Sequence, residues 1–446
     1  GDGIMIDLTA PTTGTVSDGR ELDHSFDFDY TGSDSSLSGS WSGFDDNASG
    51  VAEYEISIDN GDIHPWTGVG NVDSYMVTDM DLAHGTTYTF NVRGIDAAGN
   101  VSDVVSSNGI TVDTQPPTST IQIANNYFNE ASWSASTRIL GVAGDVGSGL
   151  ATVEITIKDS TSDLYYNGSD WQEEEYWLVA TGDEDWSYDL SVDQLTDGHA
   201  YSIRSRGTDE VGNAQTDHGV DSFTYDNSEP ETVMSIPFDH YNFSGWDSNA
   251  PIQGSASDGT SHIQIIDIAV VNNTQGNTYF QGEVWIESEH WFRADGQESW
   301  ATVLEAIYLT DGSQYSVYAR ATDAAGNQDT SPAFDSFIFD SSPPESHVFI
   351  EREFYNNDNW VDASSISGVS SDSTSGIDSV RISILRTSDG YWWNGSSQWV
   401  IDTTWLAPNG LESWSYPLNV NTLVNGVTYI VSSLAWDIAG NIQNGT

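Results

Sequence analysis

The stretch LTDGHAYSIRSRGTDEVGN (195–213) reads as a turn, a strand and a loop in succession. From Tyr201 to Gly207 the side chains alternate in the period-two pattern of a half-buried β-strand, and Asp197-Gly198 in front and Gly212-Asn213 behind are turn residues. Its ending recurs as RGIDAAGN (93–100), RATDAAGN (320–327) and LAWDIAGN (434–441). The repeated aspartates stand at 96, 209, 323 and 437, at intervals of 113, 114 and 114 residues in a chain of 446. So regular a spacing marks tandem repeats, each the size of one ordinary domain.

Other columns keep the same register. Tyr88, Tyr201, Tyr315 and Tyr429 each lie eight residues before the repeated aspartate, with Gly85, Gly198, Gly312 and Gly426 three residues earlier still. This placement predicts a tyrosine corner, in which the hydroxyl bonds back across the turn that leads into the strand. Trp171, Trp285 and Trp399 fall 114 apart, as do Trp177, Trp291 and Trp405, and Trp186, Trp300 and Trp414. The first copy lacks this set and is a shorter variant. Alternating segments such as VEITIKD (153–159) and DSFTYD (221–226) are bounded by turn residues, and helical periodicity is nearly absent, so the chain is predicted to be all-β. A last strand and a proline signal follow each loop: GITVDTQPPTS (109–119), SFTYDNSEPET (222–232) and SFIFDSSPPES (336–346). Proline breaks the ladder there and stiffens the hand-over between modules.

On these motifs the whole chain resembles the tandem bacterial immunoglobulin-like and fibronectin-type-III-like repeats of large extracellular adhesins, whose consensus joins a D-x-A-G-N loop to a V-D-x-x-x-P linker. The loop motif stands in all four copies, and the linker is looser, with Ser228 and Glu229 altering one copy. The expected architecture is four tandem immunoglobulin-like β-sandwich domains in an elongated array. An orphan closing strand and linker occupies 1–11, followed by domains at 12–114 (the variant), 115–228, 229–342 and 343–446.

Composition narrows the partners. There are 68 acidic side chains against 11 basic ones, a formal charge of −57, and Lys158 is the only lysine. Nucleic acid would be repelled, because its binding needs clustered Lys and Arg. Cations are attracted, although a salty habitat favours the same balance, and most of these carboxylates are solvated surface. The chain has no cysteine, so disulfides and thiolate metal sites are excluded. No run of 18 apolar residues exists, which excludes a helical membrane span. No basic-then-apolar leader stands at the front, in keeping with a trimmed exported chain. Several N-x-S/T sequons, including those at Asn167 and Asn394, permit surface glycosylation.

The repeated aspartate has companions. In a sandwich of this topology the B–C and F–G loops share the end at which the chain enters from the preceding module. Three kinds of Asp are thereby expected to converge. They are Asp113, Asp145 and Asp209 in the second copy, Asp226, Asp258 and Asp323 in the third, and Asp340, Asp372 and Asp437 in the fourth. The first copy offers Asp7, Asp45 or Asp46, and Asp96. Three neighbouring carboxylates repel unless a cation sits among them. Calcium suits them, because it accepts six to eight oxygens in loose geometry. No His or Cys accompanies the set, which argues against zinc. The alternative is turn chemistry alone, each Asp bonding its own backbone two residues on. The adhesin resemblance also implies calcium at such junctions, where it would make a stiff rod.

The last copy stops at Thr446, short of a final strand, whereas GIMIDLTAPTT (3–13) reads as a closing strand and linker with no module before it. Two explanations stand. The sequence is a piece of a longer array, or Ile4, Met5 and Ile6 form a donor strand that completes the last module of a neighbouring copy, head to tail.

No G-x-S-x-G, H-E-x-x-H, phosphate-loop or dinucleotide motif occurs, and the histidines do not follow the period, so no enzyme is expected. An array of carbohydrate-binding modules attached to a secreted enzyme is the alternative. Trp171 and Trp177, six apart, would share one strand face and stack on surface glycans or polysaccharide, unless the tryptophans fill the core. Arg93, Arg206 and Arg320, three residues before the repeated Asp, suggest an ion pair holding the F–G loop. The reading that gathers these features is a structural segment of an extracellular, cell-surface adhesin stalk.

Overall fold

The computed structural model describes residues 2–19, 27–136, 138–249, 251–363 and 365–445; Thr446 lies outside them. The regular structure of the chain is almost entirely β-strand, and the chain divides into two compact units, Gly1–Asp226 and Asn227–Thr446. Each unit contains two buried apolar cores.

In the first unit, one core is enclosed by the sheet Thr15–Gly19, Leu37–Ser42, Ser74–Val77 and by the sheet His64–Gly70, Val51–Ile58, Phe90–Asp96, Val105–Ser106. The other core lies between the sheet Thr118–Gln122, Arg138–Gly144, Asp185–Asp189 and a larger sheet built on the antiparallel pair Leu150–Asp159 and His199–Asp209. Both facing sheets contribute to it, Ile139 and Trp186 from one, Ile155, Ile157, Ile203 and Phe223 from the other. That is the two-layer sandwich the alternating segments predicted.

The second unit repeats the plan. Its first core sits under the pair Ile263–Asn272 and Ser313–Asp323, its second under Ile377–Arg386 and Tyr429–Asp437. The strand Ser313–Asp323 has a closing neighbour in Ala333–Phe339, whereas among the described residues Tyr429–Asp437 has Ile377–Arg386 as its only strand partner, with a single bridge from Trp436 to Ile442.

The tyrosine corners form. The hydroxyls of Tyr88, Tyr201, Tyr315 and Tyr429 accept hydrogen bonds from the backbone N–H groups of Ala83, Thr196, Thr310 and Val424, each five residues upstream, at 3.0, 2.8, 2.7 and 2.7 Å. Gly85, Gly198, Gly312 and Gly426 take φ of 71 to 78°, a left-handed turn that glycine adopts without strain.

Two features were not anticipated. Seven-residue helices, Glu130–Ser136, Phe243–Asn249 and Asn357–Ala363, present Trp133, Trp246 and Trp360, whose indole N–H groups donate to the carbonyls of Leu190, Leu304 and Leu418. In addition, Trp186, Trp300 and Trp414, each 2% exposed, lie directly across the ladder from Gly141, Gly254 and Gly368. A Cβ on these glycines would meet the indole at 2.1, 2.5 and 2.1 Å.

Candidate metal centres

The strand that carries the repeated aspartate sets its position. Along His199–Asp209 every second residue from Tyr201 is buried, through Ile203, Ser205 and Gly207 to Asp209. Asp209 therefore has the inward parity of the core residues but stands at the very end of the strand, where the apolar column gives way to loops. Asp96, Asp323 and Asp437 end their strands in the same way, each no more than 2% exposed. A one-residue register shift opens the partner strand at the same level in all four copies, at Val51/Glu53, Leu150/Thr152, Ile263/Ile265 and Ile377/Ser379. Bulges of this kind re-aim the chain beside a site, and nothing in the sequence announced them.

Three sets of carboxylates meet within a unit: Asp7, Asp46 and Asp96; Asp113, Asp145 and Asp209; and Asp340, Asp372 and Asp437. In each set one oxygen from each residue lies within 4.8 Å of the others. Two oxygens on opposite sides of a calcium ion at about 2.4 Å are separated by about that distance. Asp46 joins the first set and Asp45 does not, because the Asp45 main chain is tied to Thr12, whose N–H donates to its carbonyl at 2.8 Å. Of the remaining three residues, Asp226 closes the first unit, its N–H donating to Phe128 O at 2.8 Å. Asp258 and Asp323 belong to the second unit, where they accept the amides of Thr260 and Ser261, and of Gly326 and Asn327.

The turn chemistry is present too, but it occupies only part of each carboxylate. Asp46 Oδ2 accepts the N–H groups of Ala48, Ser49 and Gly50; Asp145 Oδ2 accepts those of Gly147 and Gly149; Asp372 Oδ1 accepts those of Thr374, Ser375 and Gly376. The second oxygen of each takes none of these amides. Each linker Asp accepts a B–C loop serine amide: Asp7 from Ser49 at 3.1 Å, Asp113 from Ser148 at 2.6 Å and Asp340 from Ser375 at 3.1 Å. The loop Asn joins strand end to linker. Asn213 Nδ2 donates to Asp209 Oδ2 at 2.7 Å and to Asp113 O at 3.0 Å, and Asn441 Nδ2 donates to Asp437 Oδ2 and Asp340 O, both at 2.8 Å. The linking serines and the bridging role of the Asn were not read from the sequence, although both recur at a fixed offset from an Asp.

The sets differ electrically. Burial pushes the carboxyls of Asp340 and Asp437 above the usual range, and the neighbouring Asp372 adds to the effect in both. Burial acts the same way on Asp113, but the amides of Ser148 and Gln115 outweigh it and hold the group low. Asp7, half-buried, is held at about 2 by Ser49 and Thr9, which outweigh the smaller effect of burial.

Two expectations about aromatic and basic residues are corrected. Trp171 packs against the core and donates its N–H to Gln194 O at 3.2 Å, whereas Trp177 lies under the Arg206 guanidinium, 4.1 Å from its ring centre. They do not share a strand face, because the chain between Trp171–Gln172 and Leu178–Val179 is irregular. Arg320 covers Trp291 at 3.9 Å, so two indoles of the second column are capped by cations, whereas Trp405, where Leu434 replaces the arginine, is exposed. Those arginines do not hold the F–G loop. Arg93 and Arg206 pair with Glu55 and Glu154, directly across the neighbouring strand.

Ile4, Met5 and Ile6 are 93, 76 and 79% exposed and lie outside any strand. Asn167 and Asn394 fold their side-chain oxygens onto their own turns, accepting from the backbone and hydroxyl of Ser169 and Ser396.

No family model matches the chain. It is 36% identical to chitinase A1 of Niallia circulans over 107 residues, 21% of this chain, and spans 15% of that protein's length. Among solved structures it is similar to a tetra-tandem repeat from the extending region of a large adhesion protein (19% identity, 96% of this chain and 97% of that chain covered, TM-score 0.32). It is also similar to a Ca2+-stabilized adhesin that helps an Antarctic bacterium reach out and bind ice (17% identity, 98% and 97% covered, TM-score 0.31). A third likeness is to the fibronectin(III)-like modules of Clostridium thermocellum CbhA (12% identity, 48% and 94% covered, TM-score 0.27).

Proposed function

We propose that the chain is a structural segment of an extracellular adhesin stalk, built of four sandwich modules with boundaries near 114, 228 and 342, and stiffened by calcium where a linker enters the next module. The observation that carries this reading is the recurrence of one triad, a linker Asp, a B–C loop Asp and an F–G loop Asp, with oxygens within 4.8 Å of one another. A divalent ion in the triad would tie the linker to both loops at once, suppressing the hinge motion that short linkers otherwise allow. Its job would be reach and resistance to bending.

The reading extends to strand donation. The free edge of Tyr429–Asp437 would accept a closing strand, and the exposed Ile4–Ile6 segment of a second copy has the sequence of one. The repeated indoles give glycan stacking little support, since all but the exposed Trp405 are buried, half-buried or capped by arginine.

The test is calorimetric titration of the metal-free chain with calcium and with magnesium, alongside an ion count. Binding of several calcium ions per chain, with a rise in melting temperature and weaker response to magnesium, is expected. A chain that binds no calcium, or melts identically in calcium and chelator, would overturn the reading.

A further inference from the structure

The turn that carries each tyrosine corner does more than receive the hydroxyl. The N–H groups of Gly85 and Gly312 donate to the carbonyls of Val112 and Phe339, the last residues of the closing strands, at 2.8 and 2.9 Å. The turn thus sits over the exit of the closing strand, and the residue before each glycine faces the linker. In one case that residue is Asp311. Its Oδ1 accepts the backbone N–H of Ser341 at 2.6 Å and the Ser341 hydroxyl at 3.1 Å, and its Oδ2 accepts the Ser342 hydroxyl at 2.6 Å. In the other it is His84, whose Nδ1 accepts the N–H of Thr114 at 3.2 Å. Both contacts span 30 residues and both catch the residue that follows the linker Asp, Asp340 or Asp113.

We infer that His84 and Asp311 are positioning latches that fasten the linkers at Thr114 and at Ser341–Ser342 to the modules before them through contacts that need no metal, so that these junctions are held on both sides and cation removal frees only the downstream side. The downstream half of this statement rests on the calcium reading; the upstream half does not. The side chains differ, His84 with one acceptor nitrogen and Asp311 with two oxygens taking three hydrogens, so the latch at Ser341–Ser342 is the stronger of the two.

Residue-resolved amide exchange of the full chain, in calcium and in chelator, separates the two halves. The Ser341 amide is expected to keep its protection in chelator, and Asp311→Ala to lower that protection about tenfold or more in both conditions, as for loss of a hydrogen bond to a charged acceptor. Asp311 is exposed, so the variant should fold, and an unchanged near-UV spectrum checks this. Asp311→Asn keeps one acceptor for Ser341 and should retain part of the protection. A Ser341 amide that exchanges freely in the wild type, or is indifferent to Asp311→Ala, overturns the latch. The Ser375 amide reports the other half: insensitivity to calcium there refutes the calcium reading and leaves the latch standing.

Discussion

Asp372→Asn separates a metal ligand from a turn cap. Asp372 Oδ1 accepts the amides of Thr374, Ser375 and Gly376 at 3.0, 2.8 and 3.0 Å, and an asparagine oxygen in the same place keeps all three. Only the second oxygen changes, to an NH2 group that repels a cation. In chelator the substitution removes one negative charge from a set whose oxygens lie within 4.8 Å. Two unit charges at that separation repel by about 3.5 kcal/mol at an effective dielectric of about 20, and solvent and salt reduce this to roughly 1 kcal/mol at a half-buried site. The variant is therefore as stable as the wild type in chelator, or more stable, because the carboxyls of Asp340 and Asp437 no longer face a third charge. In calcium the sign reverses. An ion present at about 100 times its dissociation constant stabilises its site by about 2.7 kcal/mol, and a hundredfold loss of affinity leaves about 0.4 kcal/mol. Scanning calorimetry of the full chain with and without calcium, with ions counted by mass, reads both signs and should show about half an ion fewer per chain at that concentration. Equal calcium shifts in variant and wild type, or an equal loss in both media, would refute the reasoning.

Two further substitutions test the fold and its charges. Gly141→Ala places a Cβ 2.1 Å from the Trp186 ring and 2.2 Å from Thr120 O, and because one of these is backbone the clash cannot relax by rotamer; a loss of about 1–3 kcal/mol is expected in thermal melts, and a loss below about 0.5 kcal/mol would refute the pairing. Asp18 is 1% exposed, and burial lifts its carboxyl to about 6 against hydrogen bonds from Ser107 and Gly109. A raised carboxyl favours the folded state only while protonated, so its contribution is full below the ordinary range near 4 and is lost as pH rises through about 6. Asp18→Asn should thus gain on the order of 2 kcal/mol over the wild type at pH 7 and nothing at pH 4, and a pH-independent difference would count against this.

The sequence revealed those parts of the fold whose chemistry admits few residues. Gly-x-x-Tyr marked the corner because only glycine takes that φ freely and only the hydroxyl closes the turn. The D-x-x-G-N loop was visible for the same reason. What it means for the linker was not, since the Asn213 bridge to Asp113 O depends on which loops the sandwich brings to one end. Some of what was missed had a signal. Gly141, Gly254 and Gly368 recur at the repeat period inside strand patterns, where glycine is otherwise unfavourable, and each faces a tryptophan. Trp177 and Arg206, and Trp291 and Arg320, keep one spacing of 29 residues. The helices had no such signal, because seven residues are too few to show a helical period.

The distribution of charge supplies the remaining step. Most of the 68 acidic side chains can sit in water at little cost, yet Asp96, Asp113, Asp209, Asp340 and Asp437 are each no more than 2% exposed. A buried carboxylate is costly unless a counter-charge or several donors attend it. The chain has only 11 basic residues, and Arg93 and Arg206, the ones nearest in sequence to the strand ends, are already paired with Glu55 and Glu154 and stacked on Trp66 and Trp177. Loop amides and an Asn side chain give Asp209 enough donors to persist, but these donors are neutral and leave the set with its net negative charge. Burial first, and then the neighbouring Asp372, hold Asp340 and Asp437 above their ordinary range, so in this set the neutral donors do not offset the cost of burying like charges together. Burying like charges together while the arginines are bound elsewhere favours a balancing charge from solution, and in the reading proposed above a divalent cation would supply it at the place where the linker and both loops meet.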